Sequence, residues 1–123
     1  MNNSQVYVAP RAHGGCDTYR NINLGATGVL IKGGAGTVFG WYLANNAASS
    51  RFVKFYNKLT APTVGTDTPL LTIALPASSA ANVYFGPGIA FSLGIGIGAV
   101  QLVADSDTTA PAANDVVVNV FYR

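Results

Sequence analysis

The feature that most constrains this chain is a hydrophobic period of two, with no stretch of helical period long enough to compete. Over Thr37–Leu43 (TVFGWYL), Phe39, Trp41 and Leu43 fall on one face, the alternation of a half-buried strand. Arg51–Leu59 (RFVKFYNKL) sets Val53, Phe55 and Leu59 against Phe52, Lys54, Tyr56 and Lys58. Further strands are predicted over Thr18–Leu24, Gly28–Lys32, Pro69–Leu75, Asn82–Phe85, Ile89–Leu93, Ile95–Val103 and Asp115–Tyr122, giving eight or nine short strands in all. A βαβ architecture needs amphipathic helices of ten or more residues, and none can be placed. The alanines near Asn45–Ser50 or Ser78–Ala81 allow one helical turn at most.

Turn chemistry separates these runs. Lys32–Gly36 (KGGAG) and Asn45–Ser50 (NNAASS) suit tight links between antiparallel strands. Thr60–Pro69 and Asp105–Asn114 are longer connections. Short hairpins mixed with two long crossings predict an all-β antiparallel sandwich of jelly-roll or Greek-key type. With 123 residues, one core suffices. The predicted organisation is an extended N-terminal arm over residues 1–17, lying on a neighbour, and one sandwich domain over 18–123.

Val83–Val100 runs 18 positions without a charge, which reaches the length of a membrane helix. Five glycines, Pro87 and the lack of a Lys/Arg flank argue instead for two consecutive buried strands around a tight glycine turn. No membrane partner is expected. The first residues show no basic start, apolar run and cleavage site, so no secretory signal is read there. The lone Cys16 excludes an intrachain disulfide and fits folding in a reducing cytosol.

The polar inventory excludes several functions. Seven Lys and Arg meet five aspartates and no glutamate, and a scattered net charge of +2 is too weak for a dedicated nucleic-acid binder. His13 and Cys16 have the spacing of two metal ligands, but no other His or Cys completes a zinc site. Asp105 and Asp107 lack the remaining ligands of a calcium loop. In Thr66–Pro69 (TDTP), proline stands where the aspartic-protease triplet requires glycine, so Asp67 reads as a turn residue. The glycines of Gly94–Gly98 and Gly33–Gly36 match neither a dinucleotide fingerprint nor a phosphate loop. A Ser–His pair would depend on His13, in the least strand-like part of the chain. The expectation is a protein that is not an enzyme and needs no cofactor. Trp41 and the six tyrosines could present flat rings to a sugar, although Trp41 alternates with core positions.

Only 10% of the residues are charged while 50% are hydrophobic. Leu70–Leu75 and Val116–Phe121 read as apolar on both faces, and a two-layer sandwich has one interior. That surplus predicts self-association, as a homotrimer first and a dimer second. The candidate interface residues are Val6, Tyr7, Val8 and Arg11 on the arm, with Arg20, Phe52, Tyr56, Phe121 and Tyr122 on the body.

The runs Trp41–Asn45 (WYLAN), Phe52–Asn57 (FVKFYN), Val64–Pro76 (VGTDTPLLTIALP) and Phe85–Gly94 (FGPGIAFSLG) resemble small β-rich virion proteins of tailed bacteriophages that decorate or cement the capsid. The resemblance spans residues 19–122 and lies in strands and turns rather than in a catalytic signature. It implies a jelly-roll or related sandwich, often trimeric, seated at capsid symmetry axes on the major capsid protein, made in the host cytoplasm and located on the virion surface. The rival reading is a carbohydrate- or receptor-binding sandwich of a phage tail, which requires exposed rings beside Asp or Asn.

Overall fold

The computed structural model describes residues 15–123. Eight strands follow in order: β1 (Asp17–Asn21), β2 (Val29–Gly33), β3 (Gly36–Asn45), β4 (Arg51–Asn57), β5 (Leu71–Leu75), β6 (Ser79–Phe91), β7 (Gly94–Val100) and β8 (Val116–Tyr122). They form two four-stranded antiparallel sheets, ordered β1-β8-β3-β6 and β2-β7-β4-β5. The pairs β1·β8, β2·β7, β3·β6 and β4·β5 nest inside one another, which is the wrapping of a jelly roll. No helix occurs among the described residues, and none there is long and apolar enough to cross a membrane.

Every second side chain of the facing strands enters one core: Val38 and Leu43 of β3, Val53 and Phe55 of β4, Ile95 and Ile97 of β7, and Val116, Val118 and Val120 of β8. Trp41 packs against this core with its ring 5.3 Å from Phe55, as its alternation predicts. Phe39 does not join it. The register of β3 against both neighbours slips between Val38 and Gly40, so Val38 takes the inward place that strict alternation assigns to Phe39.

The connections match the expected pattern only in part: the long segment containing Asp105–Asn114 crosses between the sheets from β7 to β8 as predicted, but the others do not behave as expected. The tight links Gly34–Ala35 and Asn46–Ser50 are not hairpins within a sheet, because each carries the chain from one sheet to the other. Consecutive strands share a sheet only at β4 and β5, which are joined by the long loop 58–70. The two runs predicted over Asn82–Phe85 and Ile89–Leu93 are one strand, β6, interrupted where Phe85–Gly88 bulge out opposite Phe39. That strand is an exposed edge, not a buried one, and its link to β7 is Ser92–Leu93 rather than a glycine turn.

β7 is buried along its whole length because the chain covers it on both faces. On the outer face of β2-β7-β4-β5, loop 58–70 lies across the glycines of β7. A β-carbon at Gly96 would come within 2.8 Å of the Pro62 ring, and one at Gly98 within 2.7 Å of Val64 Cγ2. Val64, Tyr56 and Val100 form a second small core there, with Ala26 and Phe52 at its margin. The alternate glycines of β7 are thus the space in which the loop sits. Part of the surplus apolar surface that predicts self-association is hidden by the chain's own loop.

Candidate functional site

The other sheet has no such cover among the described residues. Cross-strand register sets three rows on its outer face. The first is Thr18, Phe121, Gly40 and Tyr84; the second is Arg20, Asn119, Tyr42 and Asn82; the third is Val117, Ala44 and Ala80. Alternation forces this composition, since the intervening Val116, Val118, Val120 and Leu43 fill the core. Tyr84 is 71% exposed and Tyr42 53%. Tyr42 and Phe121 meet edge to face at 5.0 Å and 90°, a geometry that fixes both rings. The Asn119 amide donates to the Tyr42 carbonyl at 3.3 Å. Arg20 is the one charged residue in these rows.

Phe85, also exposed, follows Tyr84 in the bulge of β6. Gly40 holds the first row flat, because a β-carbon there would lie 2.2 Å from the Val83 carbonyl oxygen. The surface offers rings, amide groups and a guanidinium in a plane. Such a plane binds a protein surface or a sugar face through stacking and hydrogen bonds.

The candidate interface residues divide accordingly. Arg20 and Phe121 stand on the bare face, where the structure brings them together with Tyr42 and Tyr84, which the sequence offers only among six tyrosines able to present rings to a sugar, and with Asn82, which it does not single out. Tyr122 leans on the core from the same strand. Phe52 is half-buried at the margin of the loop-covered cluster. Tyr56 is a correction: at 1% exposure under loop 58–70, it is covered by its own chain. Val6, Tyr7, Val8, Arg11 and His13 lie outside the described residues. Cys16 is exposed.

The remaining polar groups have local roles. Arg51 Nε and Nη2 both reach Asp115 Oδ2 at 3.1 Å, tying β4 to the loop before β8. Lys58 Nζ meets Asp67 Oδ2 at 2.6 Å, and the Thr63 amide donates to the same oxygen at 2.7 Å. These bonds close the base of loop 58–70, and the Lys58 hydrogen bond, followed by that from Thr63, holds the Asp67 carboxyl below the usual carboxylate range. Asp107 accepts from Thr109 Oγ1 and from the Leu102 amide, which likewise holds its carboxyl low, the Thr109 bond leading. Both aspartates are therefore turn-forming. Among the described residues no three His, Cys, Asp or Glu gather as metal ligands.

Two polar groups are buried on the loop-covered face. Lys54 is fully buried and donates to the Ala104 carbonyl at 2.5 Å. The Tyr56 hydroxyl has no hydrogen-bond partner among the described residues, and burial, then the charges of Asp105 and Asp67, push its pKa from 10.0 up to about 12.

No protein-family model, curated protein or solved structure matches this chain.

Proposed function

We propose that this protein is a non-enzymatic structural subunit of a tailed-phage particle, a decoration or cement protein that docks on the capsid through the bare face of β1-β8-β3-β6. The observation that carries the reading is the asymmetry of the two sheets: one outer face is covered by the chain's own loop, while the other, among the described residues, displays Tyr42, Tyr84 and Phe121. Tyrosine is enriched among residues that dominate binding energy at interfaces, and a repeated weak contact gains strength when an oligomer engages a repeating shell. The jelly roll is common in viral capsid proteins and in lectins alike. The resemblance of the strand and turn runs to virion proteins favours the capsid.

The test is binding to expanded capsids lacking this protein, taken from the particle whose genome encodes it. The wild type is expected to bind and to raise the capsid's rupture temperature. Tyr42→Ser with Tyr84→Ser is expected to weaken binding at least about tenfold, equivalent to about 1.4 kcal/mol, with the unfolding midpoint little changed. Wild-type protein that neither binds nor protects those capsids overturns the proposal. A specific observation favours a second reading: Tyr42 and Tyr84 flank Asn82, and Asn119 stands beside Tyr42, the rings-and-amide arrangement that suits a sugar. A glycan array without hits at high protein concentration would remove that alternative.

A further inference from the structure

The four free edges of the two sheets are not equivalent. β1 carries Asp17 and Arg20, β2 carries Lys32, and β5 is five residues long between Pro69 and Pro76. Charge, short length and nearby proline are what keep an edge from pairing with another chain. β6 has thirteen residues and no charge, and among the described residues β3 is its only hydrogen-bonded neighbour. The bulge at Phe85–Gly88, with Pro87, guards the half of β6 toward Phe91. Among the described residues nothing pairs with the outer edge of Ser79–Tyr84, and Val83 is 39% exposed beside it.

The chain enters the described region at the opposite corner of the same sheet. The Gly15 carbonyl accepts a hydrogen bond from Arg123 Nη2, and Asp17 pairs with Tyr122 at the end of the sheet where Val38 and Ile89 lie. Upstream, Gln5–Ala9 (QVYVA) is uncharged and alternates Val6 and Val8 with Tyr7, and Pro10 follows it. The six residues from Ala9 to Gly15 reach at most about 22 Å. An antiparallel strand added beyond β6 would bring Ala9 level with Ala80, four strand spacings across and five residues along from Asp17, so about seven along from Gly15 where the line of β1 is continued, or about 30 Å. A chain cannot reach its own open edge in this way. A second copy can.

We propose that Gln5–Ala9 of one copy adds as an antiparallel fifth strand to the Ser79–Tyr84 edge of another copy. Backbone hydrogen bonds along the free edge supply affinity, and Val6 and Val8 on one side cover Val83. Head-to-tail exchange closes into a ring such as a trimer, and reciprocal exchange closes as a dimer. The inference rests only on the self-association part of the proposed function and not on the capsid.

The test uses the full chain. Sedimentation velocity at tens of micromolar is expected to show an oligomer for the wild type and a monomer for Val6→Asp with Val8→Asp, whose circular dichroism retains the β spectrum. A photo-crosslinker at position 7, Tyr7→p-benzoylphenylalanine, in a mixture of ¹⁴N and ¹⁵N chains is expected to join position 7 to residues 79–84 of the other isotope. A wild-type monomer, an oligomer indifferent to the two aspartates, or crosslinks confined to one chain or to other strands would each overturn it. An arm-dependent oligomer that ignores capsids leaves this inference standing and removes the capsid function; a monomer that binds them does the reverse.

Discussion

Loop 58–70 is seated in a row of glycines, and filling that row one carbon at a time measures what the seat contributes. At Gly94 an added β-carbon would fall 2.2 Å from the Lys58 carbonyl oxygen and 2.9 Å from that of Lys32, so backbone must move. At Gly96 and Gly98 the obstacles are the Pro62 ring and Val64 Cγ2, at 2.8 and 2.7 Å, and the loop can lift by a few tenths of an ångström. At Gly86 nothing lies within 4 Å. Overpacking costs about 1–3 kcal/mol, against about 0.5–1 kcal/mol gained when alanine replaces glycine within a strand. Gly94→Ala is therefore expected to lose about 2 kcal/mol, Gly96→Ala and Gly98→Ala about 1 kcal/mol, and Gly86→Ala to be neutral or slightly stabilising.

The larger Gly98→Val should displace Val64, whose burial contributes about 1.5–3 kcal/mol, and free the loop. Urea unfolding gives the free energies, with an unchanged m-value showing that the unfolded state is not involved. Limited trypsin digestion reports the loop directly: the Lys58–Leu59 bond is expected to resist cleavage in the wild type and to be cut early in Gly98→Val. Two results would refute the reasoning. If Gly86→Ala is as harmful as Gly98→Ala, the glycines matter for backbone freedom and not for space. If Gly98→Val keeps both stability and resistance, the loop is held by something other than this seat.

The same face supports two further predictions. Tyr56→Phe removes a buried hydroxyl that lacks a partner among the described residues and should stabilise by about 1 kcal/mol. Because the folded pKa of about 12 exceeds the unfolded value, the neutral phenol's contribution is full below pH 10 and is lost as pH rises toward 12; wild-type stability should fall across that window in urea titrations, and Tyr56→Phe should flatten the fall. Lys54→Met keeps the stem that fills the space under Ala104 and removes a buried charge, so it should be neutral or stabilising by up to about 2 kcal/mol, whereas Lys54→Ala leaves a cavity and should lose about 2–4 kcal/mol. A large loss in Lys54→Met, measured by the same unfolding curves, would show that the ammonium itself holds the segment at Ala104, between β7 and β8.

Local chemistry made the strands legible. Alternation placed Val53 with Phe55, and Trp41 with Leu43, because a strand turns its side chains over at every residue and the core takes one set. Turn residues marked the ends of most strands for the same local reason. What a neighbour decides was not legible. The slip at Phe39 arises from register with β6 and β8 on either side, and no residue of β3 alone announces it. The glycines of β7 read as part of buried strands around a glycine turn, and what they make room for shows only when Pro62 and Val64 are seen lying on them. Tyr56 reads as an interface ring because nothing in Arg51–Leu59 reveals that a loop of the same chain will cover it.

The sequence by itself determined an all-β chain and many of the residues that face its main core, since period and turn chemistry are properties of adjacent residues. Only the tertiary structure decided which outer face is covered and which is bare. Both sheets carry rings and small residues on their outer sides, and the difference lies in where loop 58–70 comes to rest. That placement depends on close approach between residues some thirty positions apart, such as Val64 and Gly98, and leaves Tyr42, Tyr84 and Phe121 facing outward on the other side.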